Sequence, residues 1–523
     1  MTKTLDIFII GGGINGTGVA RDAAGRGLSV TLAEMGDLGG ATSSASTKLF
    51  HGGLRYLEFF EFRLVREALI ERENLLAAVP HISWPMRFVL PVHKSMRFEG
   101  STPASKLLTL LMPWMKGRRP AWMIRLGLFI YDNLGGRKIL PATTRLDLRH
   151  DPAGAPLREK FTTAFEYSDC WVQDARLVVL NARDARARGA TILPRTIVTN
   201  AKHTGDHWEI ETRDQNSGEV ALHRAAILVN AGGPWVQDII ENTVETTAQG
   251  KVRLVRGSHI VTRKLFEGDK TYFFQGKDGR ICFAIPYEDD FTLIGTTDAD
   301  HDAASTVPEC TTSEQEYLCE FVSQYLVDPI NTDDIVWHYA GVRPLYDDGA
   351  ANATAATREY VIKVNQEAGG PLINIFGGKI TTYRKLAESV LDEVVKLRPN
   401  TSENWTCRVP LPGGDFPVDG VDALLRDFMN RFAFIERRYA RRLLRSYGTD
   451  CADLLAGCKS LSELGRHFGG DVYQRELDWA IDNEWVQTGE DFLWRRTKRG
   501  LYLDTKQRDA VDEYIQARRA KTA

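Results

Sequence analysis

An α/β fold is what the 523-residue sequence predicts: a Rossmann-like dinucleotide-binding domain, an antiparallel-sheet domain and an α-helical C-terminal domain. Three observations predict it. The apolar run Ile7-Phe8-Ile9-Ile10 enters a glycine turn and then a helix, as a strand buried in a parallel sheet does. Residues 271–298 alternate short β-rich runs with turn signals, as in an antiparallel meander. From Val421 onward the chain is rich in helix formers, Arg and Trp, and has no glycine-rich cofactor turn.

Taken in order, the first strand ends at Gly11, and Gly11, Gly13 and Gly16 form G-x-G-x-x-G. The first glycine permits the tight turn, the second lets a pyrophosphate approach the backbone, and the third lets helix and strand pack closely. Ile14 and Asn15 open the helix, whose N–H groups and positive dipole end suit phosphate. Gly25 and Gly27 close it, residues 28–33 form a second strand, and Glu34 at its end suits a ribose hydroxyl. Residues 36–58 hold Thr42, Ser43, Ser46, Thr47 and Lys48 before His51-Gly52-Gly53. Such a loop can approach a flat ligand and donate hydrogen bonds to it. The competing reading is a Ser/Gly linker, but the run into Leu54-Arg55-Tyr56 and a helix over 59–79 favours a ligand loop.

Further on, a strand over 165–170, a helix over 174–189, a strand over 190–198 and an alternating excursion over 203–224 are predicted. Residues 226–231 read as a buried strand ending at Ala231-Gly232-Gly233, a second backbone approach to a cofactor. A helix over 312–326 follows the meander. Residues 371–376 and Gly377-Gly378-Lys379 repeat the strand–glycine–helix junction, with a helix from Thr381 whose N-terminus suits the anionic charge of a reduced ring. Residues 410–420 read as a linker by composition. The first glycine motif alone does not separate NAD from FAD. Several backbone approaches along one chain favour a single long cofactor, FAD.

Composition is ordinary for a globular protein, with 43% hydrophobic and 26% charged residues. A net charge of −3 argues against nucleic acid as a partner of the whole surface. Seven cysteines without C-x-x-C read as reduced thiols of a cytoplasmic protein. The strand that begins almost at once leaves no signal peptide, and no apolar run of about 18 residues spans a bilayer. No metal site is expected: His81, His93, His150, His203, His207 and His223 lack ligand spacing and read as structural. G-x-S-x-G is also absent.

The segments GGGINGTGVARDAAGRG and ATSSASTKLFHGGLRYLE, followed by FEYSDCWVQDARLV, VNAGGPWV, RGSHIV, IGTTD, YAGVRPLYDD, ATREY and FGGKITTYRKLAE, resemble the FAD-dependent (respiratory, aerobic) glycerol-3-phosphate dehydrogenase family. The resemblance covers nearly the whole chain. It implies an FAD domain of the glutathione-reductase/amino-acid-oxidase type at 1–90, 119–235 and 365–405, a substrate domain at 236–364, and a helical domain at 410–523. It implies oxidation of sn-glycerol 3-phosphate to dihydroxyacetone phosphate by hydride transfer from C2 to FAD N5. Electrons would pass to a membrane quinone from a homodimer peripheral on the inner face of the cytoplasmic membrane. The chain departs from the family pattern between Pro91 and Arg119, where residues 94–118 carry Leu107, Leu110, Trp114 and Met115 among Lys94, Arg97, Lys106, Lys116, Arg118 and Arg119. That pattern suits an anionic membrane surface; a hairpin packed on the protein's own core is the alternative.

Oxidising a secondary alcohol takes a hydride acceptor and a base, and a phosphate takes cations, preferably arginine forks. Arg343 in GVRP and Arg358 in TREY are the phosphate candidates, Arg55 and Tyr56 add a cation and a hydroxyl, and Lys379 lies beside the ring. His259 in GSHIV is the expected base, with Lys379 or an arginine-assisted water as alternatives. The catalytic set is therefore His259, Lys379 and Arg343. Two rival readings stand: an oxidase of a small alcohol or amine that reduces oxygen, and an FAD protein that mainly binds a partner or RNA.

Overall fold

The computed structural model describes residues 3–93, 96–98, 102–111, 118–248, 250–276, 279–347, 359–398 and 401–521. Among the described residues, an eight-stranded sheet carries the strands Leu5–Ile10, Val30–Ala33, Thr191–Leu193, Val220–Asn230 and Leu372–Phe376 in parallel. Val361–Asn365 closes one edge antiparallel. Leu5–Ile10 sits between Val220–Asn230 and Val30–Ala33, and its side chains from Ile7 to Ile10 are buried. The helices Ile14–Gly25, Asp174–Ala187 and Tyr383–Leu397 pack together, burying Val19, Ala23, Leu177 and Val390 against Ile7 and Ile9. The predicted strand over 190–198 is two strands, Thr191–Leu193 and Thr196–His203. The second leaves the parallel ladder to pair antiparallel with Trp208–Asp214.

A ten-stranded sheet forms the second layer and corrects the expected domain bounds. It contains the predicted meander, Thr271–Gln275, Ile281–Tyr287 and Phe291–Gly295, and the long pair Val252–Arg263 and Ile335–Tyr346. It also takes Leu49–Phe50, Ser83–Pro91, Thr144–Asp147 and Thr163–Val172 from the stretches expected in the cofactor domain. The pairing partner of Thr163–Val172 is Ser83–Pro91, in register over nine pairs from Ser83↔Val172 to Pro91↔Ala164. Phe88, Tyr167 and Phe273 fill a common core, and that burial draws the strands into this sheet.

The segment 410–420 is not a loose linker. Leu411 is buried, its N–H donates to the Ala78 carbonyl at 3.1 Å, and Arg21 donates to the Val409 carbonyl at 3.1 Å. Gly413 has φ +79°, and a Cβ there would stand 2.2 Å from the Tyr447 carbonyl oxygen, so the segment is pressed between two layers. The C-terminal helices, from Val421–Arg431 to Thr505–Ala520, are joined to the cofactor layer by buried ion pairs. Arg496 pairs with Asp37 at 2.7 Å and Arg195 with Asp491 at 2.9 Å. Trp494 stacks on Trp337 at 4.6 Å. The Arg496–Asp37 pair braces the loop after the second strand.

Candidate active site

Two adjoining cavities meet at the loop after the second strand. The first runs along the C-terminal ends of the parallel strands, where open α/β sheets hold ligands. Gly11, Gly13, Ile14, Asn15, Glu34, Thr42, Ser43, Ala231, Gly232 and Gly378, all singled out in the sequence, line it together. Gly11 has φ +108°, and a Cβ there would meet the Ala231 carbonyl oxygen at 2.5 Å, so the first and second glycine turns touch. Asn15 donates from Nδ2 to the Gly377 carbonyl at 3.1 Å, tying in the third turn. Among the described residues its Oδ1 is buried with no partner, a polar atom suited to a ligand donor. Ser43 accepts at Oγ from the Ile14 N–H at 3.0 Å and so caps the helix start. Glu34 accepts from the Gly12 and Gly36 N–H groups at 2.6 and 2.7 Å, and burial pushes its carboxyl above the usual range. It therefore fixes the glycine turn. Trp235 and Pro344, from the VNAGGPWV and YAGVRPLYDD segments, line it too, as does Asp238, which lies outside the quoted motifs.

Gly16 does not line this cavity; it sets the helix–strand contact behind it. Ser46 and Lys48, expected at the cofactor, do not line this cavity, and their side chains anchor the loop. Lys48 makes a buried ion pair with Asp174 at 2.8 Å and donates to the Ser44 carbonyl at 3.0 Å, and the Ser46 hydroxyl donates to Asp174 at 2.8 Å. Gly52 is held from behind: its N–H donates to the Tyr131 hydroxyl at 2.7 Å, and Tyr131 donates to Asp169, which pairs with Arg72. The His51 N–H donates to the Thr381 hydroxyl at 3.3 Å. Thr381 is buried, and the helix it precedes begins at Tyr383.

The second cavity, of about 410 Å³, lies between that loop and the inner face of the ten-stranded sheet. Thr47, His51, Arg55, Tyr56 and Arg343 line it, and Lys379 reaches it over the Tyr56 ring at 3.9 Å. Arg343 lines this cavity and its chain neighbour Pro344 lines the first. The Arg343 guanidinium donates to the Thr296 hydroxyl at 2.9 Å and pairs with Asp298, a partner the sequence did not suggest. Arg253, Arg280 and Asp300 also line the cavity and were missed; they lie outside the quoted motifs. Arg358 lies outside the described residues.

His259 stands one layer back. Its ring is fully buried, stacked on Tyr339 at 4.8 Å, with Nε2 at 3.0 Å from the Thr47 hydroxyl. Its Nδ1 has no partner among the described residues. Burial, with Arg343 and Lys48 nearby, holds its pKa well below the ordinary histidine range, so the ring is neutral near pH 7. It is Thr47 that faces the cavity. The described residues hold no metal-binding cluster.

Comparison with known proteins follows this geometry. The family described as FAD dependent oxidoreductase matches residues 6–384, and the C-terminal domain of alpha-glycerophosphate oxidase matches residues 404–521. The chain is 47% identical to D-erythritol 1-phosphate dehydrogenase of Brucella abortus over 98% of each chain. It is 42% identical to the aerobic glycerol-3-phosphate dehydrogenase of Escherichia coli over 98% of this chain and 97% of the other. In fold it matches the structure of glycerol-3-phosphate dehydrogenase from Bacillus halodurans complexed with FAD. That match has a TM-score of 0.72 at 24% identity and covers 98% of this chain and 94% of that one.

Proposed function

Because the chain belongs to the FAD-dependent oxidoreductase family, with FAD as its cofactor, we propose that it oxidises sn-glycerol 3-phosphate to dihydroxyacetone phosphate and delivers the electrons to a membrane quinone. The observation that carries this reading is the pair of a glycine-lined cavity, with Pro344 on its wall, and an arginine-lined one, with Arg343 on its wall. Bound FAD would supply the acceptor for the hydride that leaves the substrate's C2. Gly11, Gly13, Ile14 and Asn15 would hold its phosphates at the helix start, and Glu34 its ribose. Arg55, Arg343 and Arg358 bind the substrate phosphate, Lys379 and Tyr56 orient its hydroxyls, and His259 takes the C2 hydroxyl proton through Thr47.

Anaerobic addition of glycerol 3-phosphate is expected to bleach the flavin, and unphosphorylated glycerol is not. Equal bleaching by both would remove the phosphate-binding role; bleaching by neither would remove the activity. Hydrogen peroxide formed without a quinone analogue would favour an oxidase. A four-carbon polyol phosphate is a second reading, favoured by the 47% identity to a D-erythritol 1-phosphate dehydrogenase.

Among the described residues no helix is long and apolar enough to cross a membrane. The proposed contact is peripheral and extends beyond the segment 94–118. Of that segment, Lys94, Trp114, Met115 and Lys116 lie outside the described residues. Arg119, counted with the basic flank, is buried and pairs with Glu58 at 2.7 Å, so it does not face lipid. Leu107 and Leu110 are exposed on the helix Pro103–Leu111. Trp122, Leu126 and Phe129 are exposed along one face of Ala121–Leu134. Both helices pack on the turn Leu54–Phe59, and Phe60 and Phe62 are exposed beside it. Changing Trp122, Leu126 and Phe129 together to serine is expected to weaken binding to anionic vesicles by at least about tenfold. Unchanged cosedimentation would refute the contact.

A further inference from the structure

Three charged residues in the substrate cavity have no task in the reading above. Arg253 lies on the strand Val252–Arg263, which pairs with Ile335–Tyr346 in the register Val255↔Arg343 and Arg253↔Leu345. Directly paired residues share a face, as do residues two apart on a strand. Arg253 therefore shares a face with Arg343, about 7 Å further along the ladder, one two-residue step. Its guanidinium holds Asp300 with a fork, Nε to Oδ1 at 2.9 Å and Nη2 to Oδ2 at 3.1 Å. Arg280 enters the same end, its guanidinium 5.8 Å from the centre of the Tyr317 ring. The cavity thus has one cation group at Arg55, Arg343 and Lys379, with Asp298 on Arg343, and beside it a second polar group in which Arg253 stands one two-residue step from Arg343.

An arginine fork beside a carboxylate is the donor–acceptor pair that vicinal hydroxyls need: the carboxylate accepts from O–H and the guanidinium donates to the oxygen. A phosphate monoester anchored at the first cation group with its reacting hydroxyl next to the ester carbon projects any extra carbons away from that anchor. Arg253 and Asp300 are a pair of both signs on the cavity wall, with Arg253 one two-residue step from Arg343 on the same face and Arg280 lining the same cavity. We propose that Arg253, Asp300 and Arg280 form a second subsite for the terminal hydroxyls of a polyol phosphate longer than glycerol 3-phosphate. The same site then takes phosphate monoesters of four-carbon polyols. This rests on the proposed polyol-phosphate oxidation and adds the residues that set chain length.

The test compares D-erythritol 1-phosphate with glycerol 3-phosphate as reductants of the flavin in the holoenzyme, in the unchanged protein and in Arg253→Ala and Asp300→Asn variants. The unchanged protein is expected to be reduced by both. In each variant the ratio of kcat/KM for the four-carbon to the three-carbon substrate is expected to fall about tenfold or more, the scale of a lost hydrogen bond to a charged group. The fall should sit in KM. Far-ultraviolet circular dichroism and flavin content separate misfolding from the effect, and Arg253→Lys should recover part of the ratio where the fold is kept. Reduction by glycerol 3-phosphate alone, or an unchanged ratio in both variants, overturns the subsite. Reduction by neither ester overturns the polyol-phosphate reading itself.

Discussion

Gly16→Ala is expected to give a protein that purifies without FAD and melts well below the unchanged chain. A Cβ at Gly16 would stand 1.9 Å from the Gly11 carbonyl oxygen and 3.1 Å from its carbon, and both are backbone. Neither turn can give way. The Gly11 N–H donates to the Ala33 carbonyl at 2.8 Å, and the Ala231 N–H donates to the Ile10 carbonyl at 2.9 Å. Separating helix from strand would pull the helix start away from Ser43 and distort the glycine-lined cavity proposed for the cofactor. Overpacking of this kind costs about 1–3 kcal/mol even where side chains can yield, and here only backbone can. Loss of the cofactor removes its binding free energy from the folded state as well. Gly127→Ala is the control. Gly127 lies in the helix Ala121–Leu134 with nothing near a Cβ, so alanine there should hold or gain up to about 1 kcal/mol. The ratio of flavin to protein absorbance and the Tm decide the matter. Full flavin content with an unchanged Tm in Gly16→Ala would sink it.

The cofactor cavity was legible because its chemistry is local. Each strand–glycine–helix junction signals itself within a few residues, and the register Ile7↔Ile227 and Leu228↔Leu372 then brings the three junctions to one edge. Pairings between distant segments were not legible. Nothing in the apolar pattern of Thr163–Val172 says that it joins Ser83–Pro91 instead of the parallel sheet, since both environments bury such a strand. Lys48 misled for a related reason. A lysine in a hydroxyl-rich loop suits a phosphate until Asp174 arrives from the start of a distant helix. Arg253 and Asp300 show the reverse case, since ordinary surface residues by sequence become cavity walls once two strands pair.

His259→Ala is expected to slow flavin reduction by about 10², the scale of a general base. The geometry narrows how it acts. The ring does not line the cavity, and its Nε2 meets only the Thr47 hydroxyl among the described residues, so a proton reaches it through that hydroxyl. The ring is also fixed: Tyr339 stacks on it, and a Cβ at Gly295 would stand 2.1 Å from its Cδ2. A purely structural role makes different predictions, and three observations separate the two. Thr47→Val should slow reduction comparably, while Thr47→Ser should retain most of the rate, because only the hydroxyl is needed. Glutamine at 259 keeps a polar group facing Thr47 but accepts no proton at neutral pH, so it should not rescue. The pH profile carries the third. A base works when unprotonated, and burial with Arg343 and Lys48 nearby depresses the pKa of His259 well below 6.5. Reduction should therefore stay level as pH falls from 7 through the ordinary histidine range and decline only on the more acidic side. That acidic limb should vanish in His259→Ala. Stopped-flow reduction within threefold of the unchanged protein, or an acidic limb that survives the substitution, would take the proton away from His259 and leave Lys379 as the residue to test.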